Sequence, residues 1–404
     1  MALDDSKLRP DKDPPVNAVL AKLSGLLSDN RDEIQATNRI DLDACPADQV
    51  IYDRLKVDGS KVDRMIAALD AVIAQESREG EVIYGYTRPD GLRIENRRVP
   101  FGTILIIFEA RPDVCVEAAS IALRAGNRIL LKGGKEARKT NLLLTELWQK
   151  ALTASGFDAG RVRYLDISRE ETRQLIEGKS EKFDLVIPRG GEALIDFTVK
   201  NSTAPVLVSG RGNNFLFIDA EADTEMAMKI ALDGKSRLSV CNALDKVLLH
   251  RELPDLASEI QQLARCFQEM GIEVFGDVTA CAADPSIKEI ADESVWYEEF
   301  LSAKIVLGVV EDLSDAVTKI NKYSGGHSAA IVTANDAAAG RFMREVDSAA
   351  VYQNASTRFT DGGEFGLGAE IAISTQKLHF RGPLGVEHLL TNKWFVYGDG
   401  QTRS

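Results

Sequence analysis

Hydrophobic positions change their spacing several times along the chain. Over 16–40 and 60–77 apolar residues recur every three or four positions (Leu20, Leu23, Leu27; Met65, Ile66, Leu69, Ile73), which predicts helices at the start. The segment EVIYGYTRPDGLRIENRRVPFG, 81–102, has two extended arms around Pro89-Asp90-Gly91. It predicts a β-hairpin, and its polar outer face makes it project from the body. From 103 onward short apolar runs alternate with helical stretches. TILIIF (103–108) and RILLK (128–132) predict buried strands around a helix closed by Gly126. A helix from Glu136 to Gly156 follows, then the runs VRYLDI, FDLVIP and APVLVS. Beyond Cys241 a second series begins: DKVLLH, a helix over 254–270, KIVLGVV, a helix over 314–323, AAIVTA, a helix over 336–346 and AAVYQN. Alternation of this kind implies parallel βαβ units with helices on both sheet faces, here in two α/β domains. A final strand, KWFVYG, is expected to pair with the hairpin or with another subunit.

Composition narrows the class. A chain of 404 residues exceeds one ordinary core, and 44% hydrophobic with 27% charged residues is the profile of a globular protein. A net charge of −13 argues against nucleic acid or an anionic membrane as the main partner. No apolar run reaches the length of a bilayer span. The start, MALDDSKLRPDKDPP, is charged and lacks an apolar h-region, so it reads as a loose tail rather than a secretory signal. Cys45, Cys115, Cys241, Cys266 and Cys281 form no CxxC and are odd in number, and the four histidines are scattered. A disulfide framework and a zinc site are therefore disfavoured, and a reducing compartment, the cytoplasm, is expected.

Candidate chemistry lies in two kinds of segment. A complete GxGxxG is absent, and Gly210-Arg211-Gly212 and Gly366-Leu367-Gly368 are only fragments of it. LLKGGKEARKTN, 130–141, places a glycine pair between a buried strand and a helix start rich in Lys135, Arg138 and Lys139. Such a turn allows a phosphate to approach a helix N-terminus, although a tight turn before a solvated helix face gives the same pattern. VIPRGGEALIDF, 186–197, repeats the arrangement, and two such loops in one parallel sheet point to a nucleotide at the strand ends. The other segment is KSRLSVCNALDK, 235–246. Cys241 there is either an inert core thiol or a nucleophile; Lys235 and Arg237 favour a thiolate, and Ser239 and Asn242 can hydrogen-bond.

The stretches VPFGTILIIFEARPDVCVEAASIALRAGNRILLKGGKEA, SVCNALDKVLLH, INKYSGGHSAAIVT and NASTRFTDGGEFGLGAEIAISTQKLHFRGPLGVE resemble the γ-glutamyl phosphate reductase family. That family lies within the aldehyde dehydrogenase superfamily, and the resemblance runs from about residue 17 to 397. It implies an aldehyde dehydrogenase-like α/β fold. A Rossmann-like NADP-binding domain (1–80 and 100–235) is expected beside an α/β catalytic domain (236–370) and a small β oligomerisation element (81–99 and 371–404). It implies Cys241 as nucleophile, with Asn242 or Arg111 assisting the oxyanion. Lys132, Gly133, Gly134, Lys135, Arg189, Gly190 and Gly191 would hold NADPH, and Glu299 would contact its nicotinamide ribose. Glu109, Lys235, His327, Ser328, Asn354, Ser356, Thr357 and Arg358 would surround an acyl-phosphate substrate. The length matches a stand-alone reductase, with glutamate 5-kinase as a candidate partner. A homodimer or tetramer is expected from the exposed hairpin and terminal strand.

One departure shapes the chemistry. Where hydrolytic members carry a general-base glutamate, this chain has Val208. An apolar residue cannot activate water against a thioester, so reduction of an acyl phosphate fits better than oxidation to an acid. Another acyl-phosphate or acyl-CoA reductase would share the cysteine and the glycine loops. A pyridoxal-phosphate enzyme would use Lys132 instead, and a scaffold would use neither.

Overall fold

The computed structural model describes residues 16–45 and 49–403, so the expected N-terminal tail lies outside the described residues. Two compact units divide the chain: residues through Val208 with 366–372 and 384–404, and residues 209–365 with 373–383.

The first unit opens with four helices, α1 (Val16–Asp29), α2 (Arg31–Asp43), α3 (Gln49–Leu55) and α4 (Gly59–Ala74). Val19, Leu20, Leu23 and Leu27 of α1 and Val62, Met65, Leu69 and Val72 of α4 form the buried stripes that the spacing predicts. Asp58 starts α4 by accepting the Lys61 N–H at 2.9 Å. The hairpin β1 (Val82–Thr87) and β2 (Arg93–Pro100) follows. Next come β3 (Thr103–Phe108), α5 (Val114–Arg124), β4 (Arg128–Lys132), α6 (Arg138–Ala154), β5 (Val162–Tyr164), α7 (Arg169–Ile176), β6 (Leu185–Arg189) and α8 (Glu192–Asn201). Gly126 and Gly156 stand just beyond the ends of α5 and α6 at φ of 78° and 81°, a conformation that suits glycine as a helix terminator. The strands form a parallel sheet in the order β5-β4-β3-β6. From β3 the chain moves outward through β4 to β5 and then returns to the opposite side of β3. The crevice beyond the carboxyl ends of β3 and β6 is therefore this sheet's switch point.

The second unit contains β7 (Asn214–Ile218), α9 (Thr224–Gly234), β8 (Leu244–His250), α10 (Leu256–Glu269), β9 (Glu273–Gly276), α11 (Val278–Ala283), β10 (Lys288–Glu289), α12 (Ser294–Tyr297), β11 (Lys304–Val310), α13 (Leu313–Tyr323), β12 (Ser328–Val332), α14 (Asp336–Glu345) and β13 (Ala350–Gln353). Seven parallel strands run in the order β10-β9-β11-β8-β7-β12-β13. Alternate residues serve opposite faces: Leu216, Ile218, Val247 and Leu249 pack in one buried cluster, Phe215, Phe217 and Leu248 in the other.

This unit begins at Ser209 rather than near 236. The reason is β7, NFLFI, whose hydrogen bonds run to β8 and β12 and carry α9 with them into the second sheet. The run APVLVS forms no strand and contributes only single bridges at Val206 and Ser209. Short strands β14 (Ala372–Ser374) and β15 (Gly382–Leu384) pair with each other. The last strand, β16 (Leu390–Tyr397), pairs antiparallel with β2, giving the sheet β1-β2-β16 within the first unit. Of the two partners expected for KWFVYG, the structure gives the hairpin. Val82, Ile83, Tyr84, Tyr86, Trp394 and Val396 of this sheet are exposed. No helix among the described residues is long and apolar enough to cross a membrane.

Candidate active site

In the first unit the loops after β3, β4 and β6 carry the candidate ligand-binding residues. Gly133 is enforced by crowding: a Cβ there would stand 2.2 Å from Asn141 Nδ2 and 3.1 Å from the Tyr164 hydroxyl. Gly190 is similarly close to Glu109, at 2.6 Å from Oε2. Lys132 donates to the Gly133 carbonyl at 2.6 Å, and burial pushes its ammonium pKa down. The N-terminus of α6 is closed, however. Asp41, buried on α2, accepts the N–H groups of Lys139 (3.3 Å) and Thr140 (2.8 Å) and the Thr140 hydroxyl (2.7 Å). A phosphate therefore has no place on that helix start. Arg138 is likewise engaged, forming a two-pronged pair with Asp166, whereas Lys135 and Lys139 are exposed.

At the switch point the Glu109 N–H donates to the Arg189 carbonyl at 3.2 Å, and Glu109 Oε2 accepts the Gly191 N–H at 2.9 Å. Gly191 is the N-cap of the ten-residue α8, so a carboxylate rests on this helix N-terminus. Glu136 reaches across from the β4 loop and accepts the Ala110 N–H at 2.8 Å. Arg189 donates to the Ile371 carbonyl at 2.5 Å, whereas the half-buried Arg111 guanidinium pairs with no described residue. Burial and then Asp113 push the Glu117 carboxyl on α5 above the usual carboxylate range, against Arg189, Arg111 and Lys61. Glycine cradles, lysine donors beside them and a helix N-terminus that already holds an anion form a donor set that fits a dinucleotide.

In the second unit Cys241 sits half-buried in the loop between α9 and β8, outside any disulfide. Its carbonyl accepts Asn214 Nδ2 at 2.8 Å. Gly212 lies so close that an added Cβ would stand 1.7 Å from the same carbonyl oxygen. The Gly212 N–H donates to Glu299 Oε1 at 3.0 Å. Asn242 Nδ2 donates to the carbonyls of Arg358 (3.0 Å) and Thr360 (3.1 Å), and its own Oδ1 receives the Arg358 guanidinium. The Thr357 hydroxyl donates to the Asn242 carbonyl at 3.0 Å. The NASTRF segment thus clamps the residue that follows the cysteine. Burial and then Arg237 lower the pKa of Arg358, while Asp233, Asp361 and Cys241 raise it, so this guanidinium lies within electrostatic reach of the thiol.

The model of the Aldehyde dehydrogenase family matches residues 17–273. The γ-glutamyl phosphate reductase of Koribacter versatilis is 42% identical over 391 residues, which span 96% of this chain and 94% of that one. The chain belongs to the aldehyde dehydrogenase family, in its γ-glutamyl phosphate reductase branch. The crystal structure of γ-glutamyl phosphate reductase from Thermotoga maritima aligns with a TM-score of 0.90 at 38% identity, over 99% of this chain and 97% of that one. An acetylating aldehyde dehydrogenase from Geobacillus thermoglucosidasius, 14% identical, shares the fold at a TM-score of 0.68 over 96% and 93% of the two chains.

Several residues that the family resemblance assigned to direct contact have their polar groups engaged by neighbouring residues. Both side-chain N–H groups of Asn242 are committed, so it does not offer them to an oxyanion. Lys235 is fully buried in an ion pair with Asp245 at 2.6 Å, which removes its ammonium from the thiol and the phosphate alike. His327 and Ser328 are buried and linked in a chain: His327 Nδ1 to the Ser328 hydroxyl (2.8 Å), onward to Thr360 (2.6 Å), which also meets the Tyr352 hydroxyl (2.6 Å). Asn354 pins its loop to Thr333 by two hydrogen bonds of 3.0 Å. Ser356 is buried and accepts the Arg358 N–H at 3.2 Å. Sequence reading missed Asp41, Asn214 and Glu117. For Gly212 a signal existed in the fragment Gly210-Arg211-Gly212, which is a close approach to the cysteine peptide rather than a phosphate loop.

Proposed function

We propose that the chain reduces L-glutamyl 5-phosphate with NADPH to L-glutamate 5-semialdehyde and phosphate, a step of proline synthesis, through a thioester on Cys241. The observation that carries this reading is the clamp of the NASTRF segment on Asn242, the residue after the cysteine, through the Arg358 and Thr360 carbonyls and the Thr357 hydroxyl. The relatives named γ-glutamyl phosphate reductase support it at 42% identity over 96% of the chain.

Cys241 Sγ attacks the acyl carbon, the oxyanion is held by backbone N–H groups of the loop, and the acyl–oxygen bond breaks to release phosphate. Phosphate leaves without a strong acid. Arg358, whose guanidinium meets Asn242 beside the cysteine, is the cation suited to its charge. NADPH supplies the hydride that takes the thioester to the aldehyde level. Lys132, Gly133 and Gly134 would lie along its ribose, Gly190 and Gly191 along its diphosphate, Glu299 near the nicotinamide ribose, and Lys135 at a 2′-phosphate. Half-buried Val208 offers water no base, which protects the thioester from hydrolysis. The exposed apolar side chains of β1 and β16 suit self-association into a dimer or larger assembly in the cytoplasm.

A substrate panel tests the reading. With NADP⁺, glutamate semialdehyde plus phosphate should support turnover, whereas acetaldehyde plus coenzyme A should not; the opposite preference would make the chain an acyl-CoA reductase. In the same assay Lys135→Met should raise KM for NADP⁺ about tenfold, as for loss of one charged hydrogen bond, and leave that for NAD⁺ unchanged. Arg138→Met, already paired with Asp166, should do less.

A further inference from the structure

Strand β8 lies inside a seven-stranded parallel sheet, where strands are ordinarily continuous apolar runs. It nevertheless begins Leu244-Asp245-Lys246, and both charged side chains are buried. Apolar residues of like size would stabilise such a position at least as well, so the charges ask for another reason.

Their hydrogen bonds converge on one segment. Asp245 Oδ1 pairs with Lys235 at 2.6 Å, and Asp245 Oδ2 accepts the Phe300 N–H at 3.1 Å. Lys246 Nζ donates to the Glu298 carbonyl at 2.8 Å and lies 3.9 Å from the centroid of the Phe300 ring. Residues 298–300 are thus fastened at both ends, and the chain leaves them through Leu301 at φ 46°, a left-handed turn that a leucine adopts only when its surroundings impose it. Between the two fastenings stands Glu299, whose carboxylate accepts the Gly212 N–H, and Gly212 abuts the Cys241 carbonyl.

We propose that Lys246, backed by the Lys235–Asp245 pair, is a positioning residue for the nucleophile loop. It fixes Glu298–Phe300 so that Glu299 holds Gly212 against the Cys241 peptide. The inference rests on Cys241 being the nucleophile. The carbonyl contact and the ring contact both favour a charged ammonium. Burial, against the opposing pull of Asp245, holds the Lys246 pKa at about 7.

The test is the rate at which iodoacetamide alkylates Cys241 in the full chain, resolved by peptide mass spectrometry and read without substrate or cofactor. Lys246→Met should slow that rate about tenfold, the order expected for a displaced reacting atom, and lower kcat in step. Lys246→Arg, which still donates to the Glu298 carbonyl, should restore most of both. If Lys246→Met does not fold, Glu299→Ala tests the same link and should slow alkylation comparably. A purely structural role would lower the melting temperature while leaving alkylation of the folded protein within about twofold; that result, or failure of Lys246→Arg to restore the rate, overturns the proposal. Because alkylation is read apart from turnover, its failure is distinguishable from failure of the reductase reading, which activity of Cys241→Ser decides.

Discussion

Glu109 Oε2 accepts the Gly191 N–H at 2.9 Å, so an internal carboxylate occupies the N-terminus of α8 at the switch point of the first sheet. A diphosphate would seek the same donors and the same end of the helix dipole. Glu109 is exposed and so displaceable, unlike Asp41, which is buried on the start of α6. Replacing Glu109 by glutamine removes the competing charge while keeping an acceptor. Glu109→Gln should bind NADPH roughly two- to fivefold more tightly in a fluorescence or calorimetric titration, matching the usual worth of a charge at a helix N-terminus. Weaker binding would mean that the carboxylate itself serves the cofactor.

Gly212 carries a second expectation. Any Cβ there would overlap the Cys241 carbonyl, a backbone atom that cannot swing aside. Gly212→Ala should therefore displace the nucleophile loop and destabilise the protein by about 1–3 kcal/mol, as overpacking does. Gly25, exposed within α1 and with open space around it, is the control. Gly25→Ala should gain about 0.5–1 kcal/mol from helix propensity alone. Urea unfolding checks both.

The acid limb of stability has an identifiable source in His327. Burial pushes its imidazole down to about 4 from an ordinary 6.5. The unfolded chain takes up the proton near 6.5 and the folded protein does not, so this contribution is complete above 6.5 and is lost as pH falls toward 4. Roughly 2 kcal/mol should be gone by about pH 5, measured by urea unfolding followed by tryptophan emission. In His327→Gln, which does not titrate, that slope should disappear.

Much of the architecture was legible because each element announces itself locally. The stripe of Leu20, Leu23 and Leu27, the terminators Gly126 and Gly156 and the turn at Pro89-Asp90-Gly91 all read correctly from spacing and backbone preference. The domain boundary did not. NFLFI is an apolar run of five residues, and nothing within it tells which sheet it will join; its pairing with β8 and β12 is decided by distant residues. The site divides in the same way. Cys241 and the glycine loops were visible as motifs, but a motif does not reveal what its polar groups already bond. Lys235 reads as a cation beside a thiol until Asp245, ten positions on, claims it. The phosphate reading of the α6 start fails on Asp41, which lies 99 positions before Thr140.

Cys241 is the residue proposed to carry the covalent intermediate of an acyl-phosphate reductase. Phosphate-dependent reduction of NADP⁺ by glutamate semialdehyde, compared between the wild-type chain and Cys241→Ser, tests it most directly. Turnover that requires phosphate is expected in the wild type, with a loss of at least about a thousandfold in the folded serine variant, the scale on which removal of an essential nucleophile acts. Equal activity of the two proteins would contradict it.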